Sequence, residues 1–180
     1  TPLYSSAASD VYKRQDCNNI VDLREIYIVD RSIASIEGIQ YLTSVQSVYA
    51  GGNLLITTPA MPSSVRNLSL KGNQLTSLGA LNAGLESLDV SFNTGLTTVG
   101  TSLPSNLQVL YALNTSIRAL PTLPNSLYLL QTVGSPITCL PNIPTGAFPS
   151  WWNAGFVSDA GLGLCAVSYT HLRAHETVLD

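Results

Sequence analysis

Charge is what this sequence has least of. Only 11% of its 180 residues are Asp, Glu, Lys or Arg, against about a quarter in an average soluble domain, and the formal net charge is −3. A nucleic-acid surface needs a basic stripe to meet phosphates; none is present, so nucleic acid is not expected as a partner. A membrane helix needs about 18 consecutive apolar residues, and no such run occurs, so no span is expected either. Glycine-rich phosphate loops are missing. Histidine is absent between residues 16 and 166, and the two histidines present, His171 and His175, sit four apart beside Glu176. That is a helical metal-ligand spacing, but no further ligands complete a site. Without histidine the middle of the chain lacks the usual general base and any Ser-His or Cys-His pair. Glu86 and Asp89 are near neighbours, yet only Asp89 is clearly placed on an exposed face, which argues against a paired-carboxylate glycosidase site. The expectation is a protein with no catalytic residues, no metal and no cofactor.

What the sequence does have is a period. Residues 65–75 read Val-Arg-Asn-Leu-Ser-Leu-Lys-Gly-Asn-Gln-Leu, with apolar residues at Val65, Leu68, Leu70 and Leu75 and asparagine at Asn73. The frame recurs as Val45, Val48, Ala50, Asn53, Leu55 and as Leu85, Leu88, Val90, Asn93, where the next leucine arrives one place late at Leu96. It continues as Leu107, Leu110, Ala112, Thr115, Ile117 and as Leu127, Leu130, Thr132, Ser135, Ile137, with a weaker first copy at Leu23, Ile26, Ile28, Arg31, Ile33. Starts at 23, 45, 65, 85, 107 and 127 lie 20 or 22 residues apart.

The spacing has a mechanical meaning. A strand alternates its side chains, so in Leu68-Ser69-Leu70 the leucines point one way and the serine the other. An asparagine three places on can bond backbone groups where the chain leaves the sheet. One turn of such a coil cannot bury enough apolar surface to offset the entropy of ordering it, so stability requires stacking.

The pattern LxxLxLxxNxL, repeated six times, resembles that of the leucine-rich repeat family over about two thirds of the chain. The first coil is similar to the 22-residue repeats of bacterial internalin-like surface proteins. Later, Leu120-Pro-Thr-Leu123-Pro-Asn-Ser-Leu127 resembles the LPxLPxxL segment of bacterial secreted effectors and surface proteins. The resemblance implies an α/β-type leucine-rich-repeat solenoid, a right-handed superhelix that is mostly β. Its concave side would carry a parallel sheet and its convex side irregular, polyproline-like segments with little helix, since proline fixes φ and donates no hydrogen bond.

The ends depart from the period. Residues 1–15 and 167–180 resemble translated sequencing-adapter read-through from metagenomic assemblies and are expected to be non-native tails. Residues 16–144 would hold about six coils, and 145–166 an irregular last coil or partial C-terminal cap. Of the three cysteines, Cys17 lies near the first coil. With coils stacked at about 4.8 Å it is about 25 Å from Cys139, against about 7 Å for a disulfide. Cys139 with Cys165 remains geometrically open as a staple; the reading favoured from the sequence is that Cys139 is a small buried residue equivalent to Ser77. Two glycosylation sequons, Asn67-Leu-Ser and Asn114-Thr-Ser, are expected by chance in so Ser- and Asn-rich a repeat.

Placing the leucines inward leaves three outward ladders. The middle one runs Tyr27, Tyr49, Ser69, Asp89, Tyr111, Gln131 and, by extrapolation, Trp151. Beside it run Glu25, Ser47, Asn67, Ser87, Val109, Leu129 and, on the other side, Val29, Gly51, Lys71, Ser91, Leu113, Val133. The candidate binding residues are therefore Tyr27, Tyr49, Lys71, Asp89, Val109, Tyr111, Leu113, Leu129, Gln131, Val133 and Trp151, with Asn53, Asn73 and Asn93 as a structural ladder. Exposed apolar and aromatic residues mark contact sites, although Tyr and Val are also ordinary strand residues. The family resemblance implies a monomeric, non-catalytic, protein-binding module of a bacterial surface or secreted protein, with carbohydrate as another ligand class. Two alternatives belong to other classes: the substrate-recognition arm of a larger, ubiquitin-ligase-like effector, and a structural spacer in an adhesin.

Overall fold

The computed structural model describes residues 23–142, 144 and 165. Its core element is a six-stranded parallel sheet in the order β1 to β6, made of Glu25–Tyr27 (β1), Ser47–Tyr49 (β2), Asn67–Ser69 (β3), Ser87–Asp89 (β4), Val109–Tyr111 (β5) and Leu129–Gln131 (β6). Each strand pairs with the next, and the register aligns the repeat: Ile26, Val48, Leu68, Leu88, Leu110 and Leu130 are successive partners. From Val48 onward these residues are 0 to 2% exposed. Continuous burial along one line is what stacking demands, because each coil covers the apolar face of the one before it.

Strands β3 to β6 are short because a turn ends each of them on both sides. Before β3, β4, β5 and β6 a tight turn is closed by Val65 N donating to Pro62 O (3.1 Å), Leu85 N to Asn82 O (3.2 Å), Leu107 N to Pro104 O (3.1 Å) and Leu127 N to Pro124 O (3.1 Å). The central pairs of these turns are Ser-Ser, Ala-Gly, Ser-Asn and Asn-Ser, small residues among which the Gly, Ser and Asn that such turns favour predominate. Among the described residues the proline-bearing back segments contain no helix, and the one helical element is a 3₁₀ turn, Ile39–Tyr41, in the first coil.

After each strand the chain turns through a left-handed residue. Asp30, Gly52, Gly72, Phe92, Asn114 and Gly134 occupy one repeat position and have φ of 54, 65, 66, 59, 50 and 76°. This conformation keeps a backbone donor in line with the next coil: Asp30 N reaches Gly51 O (3.0 Å), Gly52 N reaches Lys71 O (2.8 Å), Gly72 N reaches Ser91 O (2.8 Å), Phe92 N reaches Leu113 O (2.7 Å) and Asn114 N reaches Val133 O (2.9 Å).

The next residue locks the coils together. Asn73 donates from Nδ2 to Leu70 O of its own coil (2.9 Å) and Ala50 O of the previous coil (2.9 Å), while its Oδ1 accepts from Leu55 N (3.1 Å). Asn53 does the same toward Ile28, Arg31 and Ile33, and Asn93 toward Leu70 and Leu75. All three are buried. Where Ser135 replaces asparagine, one hydroxyl accepts from Thr115 N (2.9 Å) and donates to Ala112 O (2.6 Å).

The structure corrects one reading. Cys139 is not a free buried residue equivalent to Ser77; it is half-buried and disulfide-bonded to Cys165, with Cα atoms 4.8 Å apart. Cys165 N also donates to Leu140 O (2.8 Å), so the chain returns to the edge of the last described coil, a closure that no repeat arithmetic anticipates. Cys17, the tails, Trp151 and most of 145–166 lie outside the described residues, as do His171, His175 and Glu176.

Candidate binding face

The outward residues of the strands form the open face of the sheet, and the pairing sets them in rows. Tyr27, Tyr49, Ser69, Asp89, Tyr111 and Gln131 are partners in sequence along the middle. Their exposure is uneven. Tyr27 is 65% exposed, whereas Tyr49, Asp89, Tyr111 and Gln131 are half-buried by their neighbours. Two residues of the flanking rows do not face solvent at all: Ser47 is 5% exposed and receives a hydrogen bond from Asn67 Nδ2 (3.2 Å), and Ser91 is 2% exposed and receives one from Leu113 N (3.2 Å). A short hydroxyl side chain among larger ones is covered by them.

At the N-terminal end of the face, Tyr27 and Tyr49 stack with ring centroids 4.6 Å apart and planes inclined by 13°. The Tyr27 hydroxyl donates to Glu25 Oε2 (2.9 Å), and this bond to a carboxylate holds its ionisation above the ordinary tyrosine range. At the other end Val109 pairs with Leu129, while Leu113 and Val133 follow the same strands. Val109, Tyr111, Leu113 and Leu129 are half-buried and Val133 is 41% exposed, so five outward apolar or aromatic side chains lie on two adjacent coils.

Between these ends the middle row dips. Ser69 and Asp89 are short, and the tyrosines on either side, Tyr49 and Tyr111, wall a depression of about 250 Å³ that Asn67 and Ser87 also line. Asp89 Oδ1 accepts from Ser91 N (2.9 Å). The nearby cations are held elsewhere: Lys71 Nζ lies 5.3 Å from the centre of the Phe92 ring, and Arg66 Nε is 3.9 Å from Glu86 Oε1 while its Nη1 donates to Ser63 O (2.9 Å).

Phe92 is a residue that the outward-ladder count passes over. It is 46% exposed at the rim, bonded through its backbone to Leu113, and it holds the left-handed conformation where the other coils use Gly, Asp or Asn. A bulky side chain there costs about 1 to 2 kcal/mol. The signal was legible in the sequence, since Phe92 is the one large residue in the position before the asparagine. Phe92→Gly is expected to raise the unfolding free energy by about 1 kcal/mol, the relieved strain outweighing the lost contact with Lys71. Urea titration of both proteins at one temperature checks the sign.

Among the described residues no cluster of three or more His, Cys, Asp or Glu is arranged to hold a metal ion, and no helix is long and apolar enough to cross a membrane. A parallel sheet with one short strand per coil, inward leucines in register and a cross-coil asparagine ladder define a leucine-rich-repeat solenoid, and the chain is a leucine-rich-repeat protein. It is similar to YopM from Yersinia enterocolitica WA-314, with a TM-score of 0.66 and 32% identity over 70% of this chain and 29% of that one. It is also similar in fold to a Shigella effector LRR domain, with a TM-score of 0.61 and 24% identity over 79% of this chain and 69% of that one. The chain thus spans less than a third of the length of YopM. No protein-family model matches the sequence, and no curated protein matches it.

Proposed function

We propose that this chain is a non-catalytic recognition module of a surface-exposed or secreted bacterial protein, binding another protein through the open, concave side of its sheet. The observation that carries the reading is the apolar surface on the fifth and sixth coils, where Val109, Tyr111, Leu113, Leu129 and Val133 sit at outward positions of a preformed sheet. Apolar groups grouped on the outside of a protein mark contact sites, and a rigid face loses little entropy when it binds. The disulfide supports an oxidising destination, because such bonds persist in exported proteins. A second reading, the recognition arm of a larger effector, draws on the Shigella effector LRR domain, which has this fold as one domain.

The test is a selection of displayed random peptides on the full chain, followed by affinity measurements on Tyr111→Asp/Leu129→Asp. Both side chains point away from the core, so the variant is expected to keep its circular dichroism spectrum and lose at least about tenfold in affinity for the selected peptides. Unchanged affinity would overturn the reading.

A further inference from the structure

We infer that the depression between Tyr49 and Tyr111 is a socket for an arginine side chain on the bound partner. The inference rests on the concave-face reading above and assigns one anchor within it.

Asp89 is the one ionised group in the middle row of the sheet, and among the described residues no cation pairs with it. One carboxylate oxygen is held by Ser91 N at 2.9 Å, which orients the group and leaves the second oxygen for a ligand. The two cations close in sequence have other engagements: Lys71 turns to the Phe92 ring and Arg66 to Glu86. A half-buried carboxylate with no cation beside it among the described residues, on a protein of net charge −3, attracts a cation.

The walls then choose among cations. Two tyrosine rings flank the opening, and Asn67 stands on its lip with its Nδ2 committed to Ser47 Oγ (3.2 Å), which leaves its carbonyl oxygen as an acceptor. The Ser87 hydroxyl adds another acceptor. Guanidinium offers five donors in a planar fork and stacks on aromatic faces, whereas ammonium is a compact, strongly hydrated point charge. Size agrees as well: about 250 Å³ is less than the roughly 300 to 1,000 Å³ of a small-molecule pocket and suits one long side chain carried on a peptide.

The experiment uses the selection described above together with a defined probe. N-acetyl-arginine methylamide, its citrulline counterpart, its lysine counterpart and a neutral disaccharide are titrated into isotopically labelled full chain and followed by amide chemical shifts. The arginine compound is expected to shift the amides of Ser69, Ser87 and Asp89 at millimolar concentration, the lysine compound to bind more weakly, and the citrulline compound, which keeps the shape without the charge, to bind at least about tenfold more weakly. Asp89→Asn keeps an oxygen for Ser91 N and is expected to remain folded while losing the response. Equal binding by citrulline, a response that survives in Asp89→Asn, or preferential binding of the disaccharide would overturn the inference. If selected peptides are lost in Tyr111→Asp/Leu129→Asp but carry no enriched arginine and ignore Asp89→Asn, the socket fails while the binding face stands; if no selected peptide depends on either variant, the face itself fails.

Discussion

Replacing Asn93 with alanine is expected to lower the unfolding free energy by about 3 to 4 kcal/mol, although the side chain is polar and carries no part of the binding face. Asn93 is 0% exposed. Its Oδ1 accepts from Leu75 N (3.0 Å), and its Nδ2 donates to Val90 O (2.8 Å) and Leu70 O (3.0 Å). Leu70 O keeps a second donor in Asn73, but Leu75 N and Val90 O would each be left buried without a partner, at about 1 to 3 kcal/mol apiece. The position amplifies the effect: these bonds join the third and fourth coils, and in a solenoid every coil depends on its neighbours. Asn93→Ser should recover only part of the loss, because Ser135 at the same repeat position keeps the donation to the previous coil (Ala112 O, the counterpart of Leu70 O) but accepts from Thr115 N, the counterpart of Asn73 N rather than of Leu75 N. Urea unfolding gives the numbers, provided the m-values of the variants agree. A loss under about 1 kcal/mol for alanine would show that the ladder does not hold the coils together.

Opening the Cys139–Cys165 bond is expected to lower stability by about 3 kcal/mol, since a link spanning 26 residues restricts the unfolded chain by about that amount. The loss should be local before it is global. The bond closes the last described coil, where Cys165 N meets Leu140 O (2.8 Å), and in a stack with nearest-neighbour coupling the end coil opens first. Hydrogen exchange with and without reductant, in a Cys17→Ser background so that no third thiol exchanges, should show protection falling at Leu129–Gln131 while Asn67–Ser69 changes little. Uniform loss along all six strands would contradict this.

Both effects concern the frame, whereas the proposed function concerns what the frame displays. Phe92 joins the two. It shares its repeat position with glycine, aspartate and asparagine, and it holds an exposed ring there at a conformational cost. Such strain is commonly retained where a site needs the side chain. If Phe92→Gly stabilises the protein as expected and also weakens the selected peptides, the rim beside Leu113 belongs to the same contact surface as Tyr111 and Leu129.

Six repeats of about twenty residues determined the number of coils, the inward leucines, the pairing register and the order of the outward ladders. They could do so because parallel in-register stacking leaves little freedom: once Leu68 and Leu88 must cover one another, Ser69 and Asp89 have to stand side by side. What only the tertiary structure decided lies where the period does not reach. Exposure within a ladder depends on the size of neighbours twenty residues away, which is why Ser47 and Ser91 are buried in rows that otherwise face out. The depression exists because two short residues fall between two tyrosines, and Asp89 has no cation beside it among the described residues because Lys71 and Arg66 turn elsewhere. Cys139 meets Cys165 because the chain folds back on its last coil, a contact between segments that no local pattern relates.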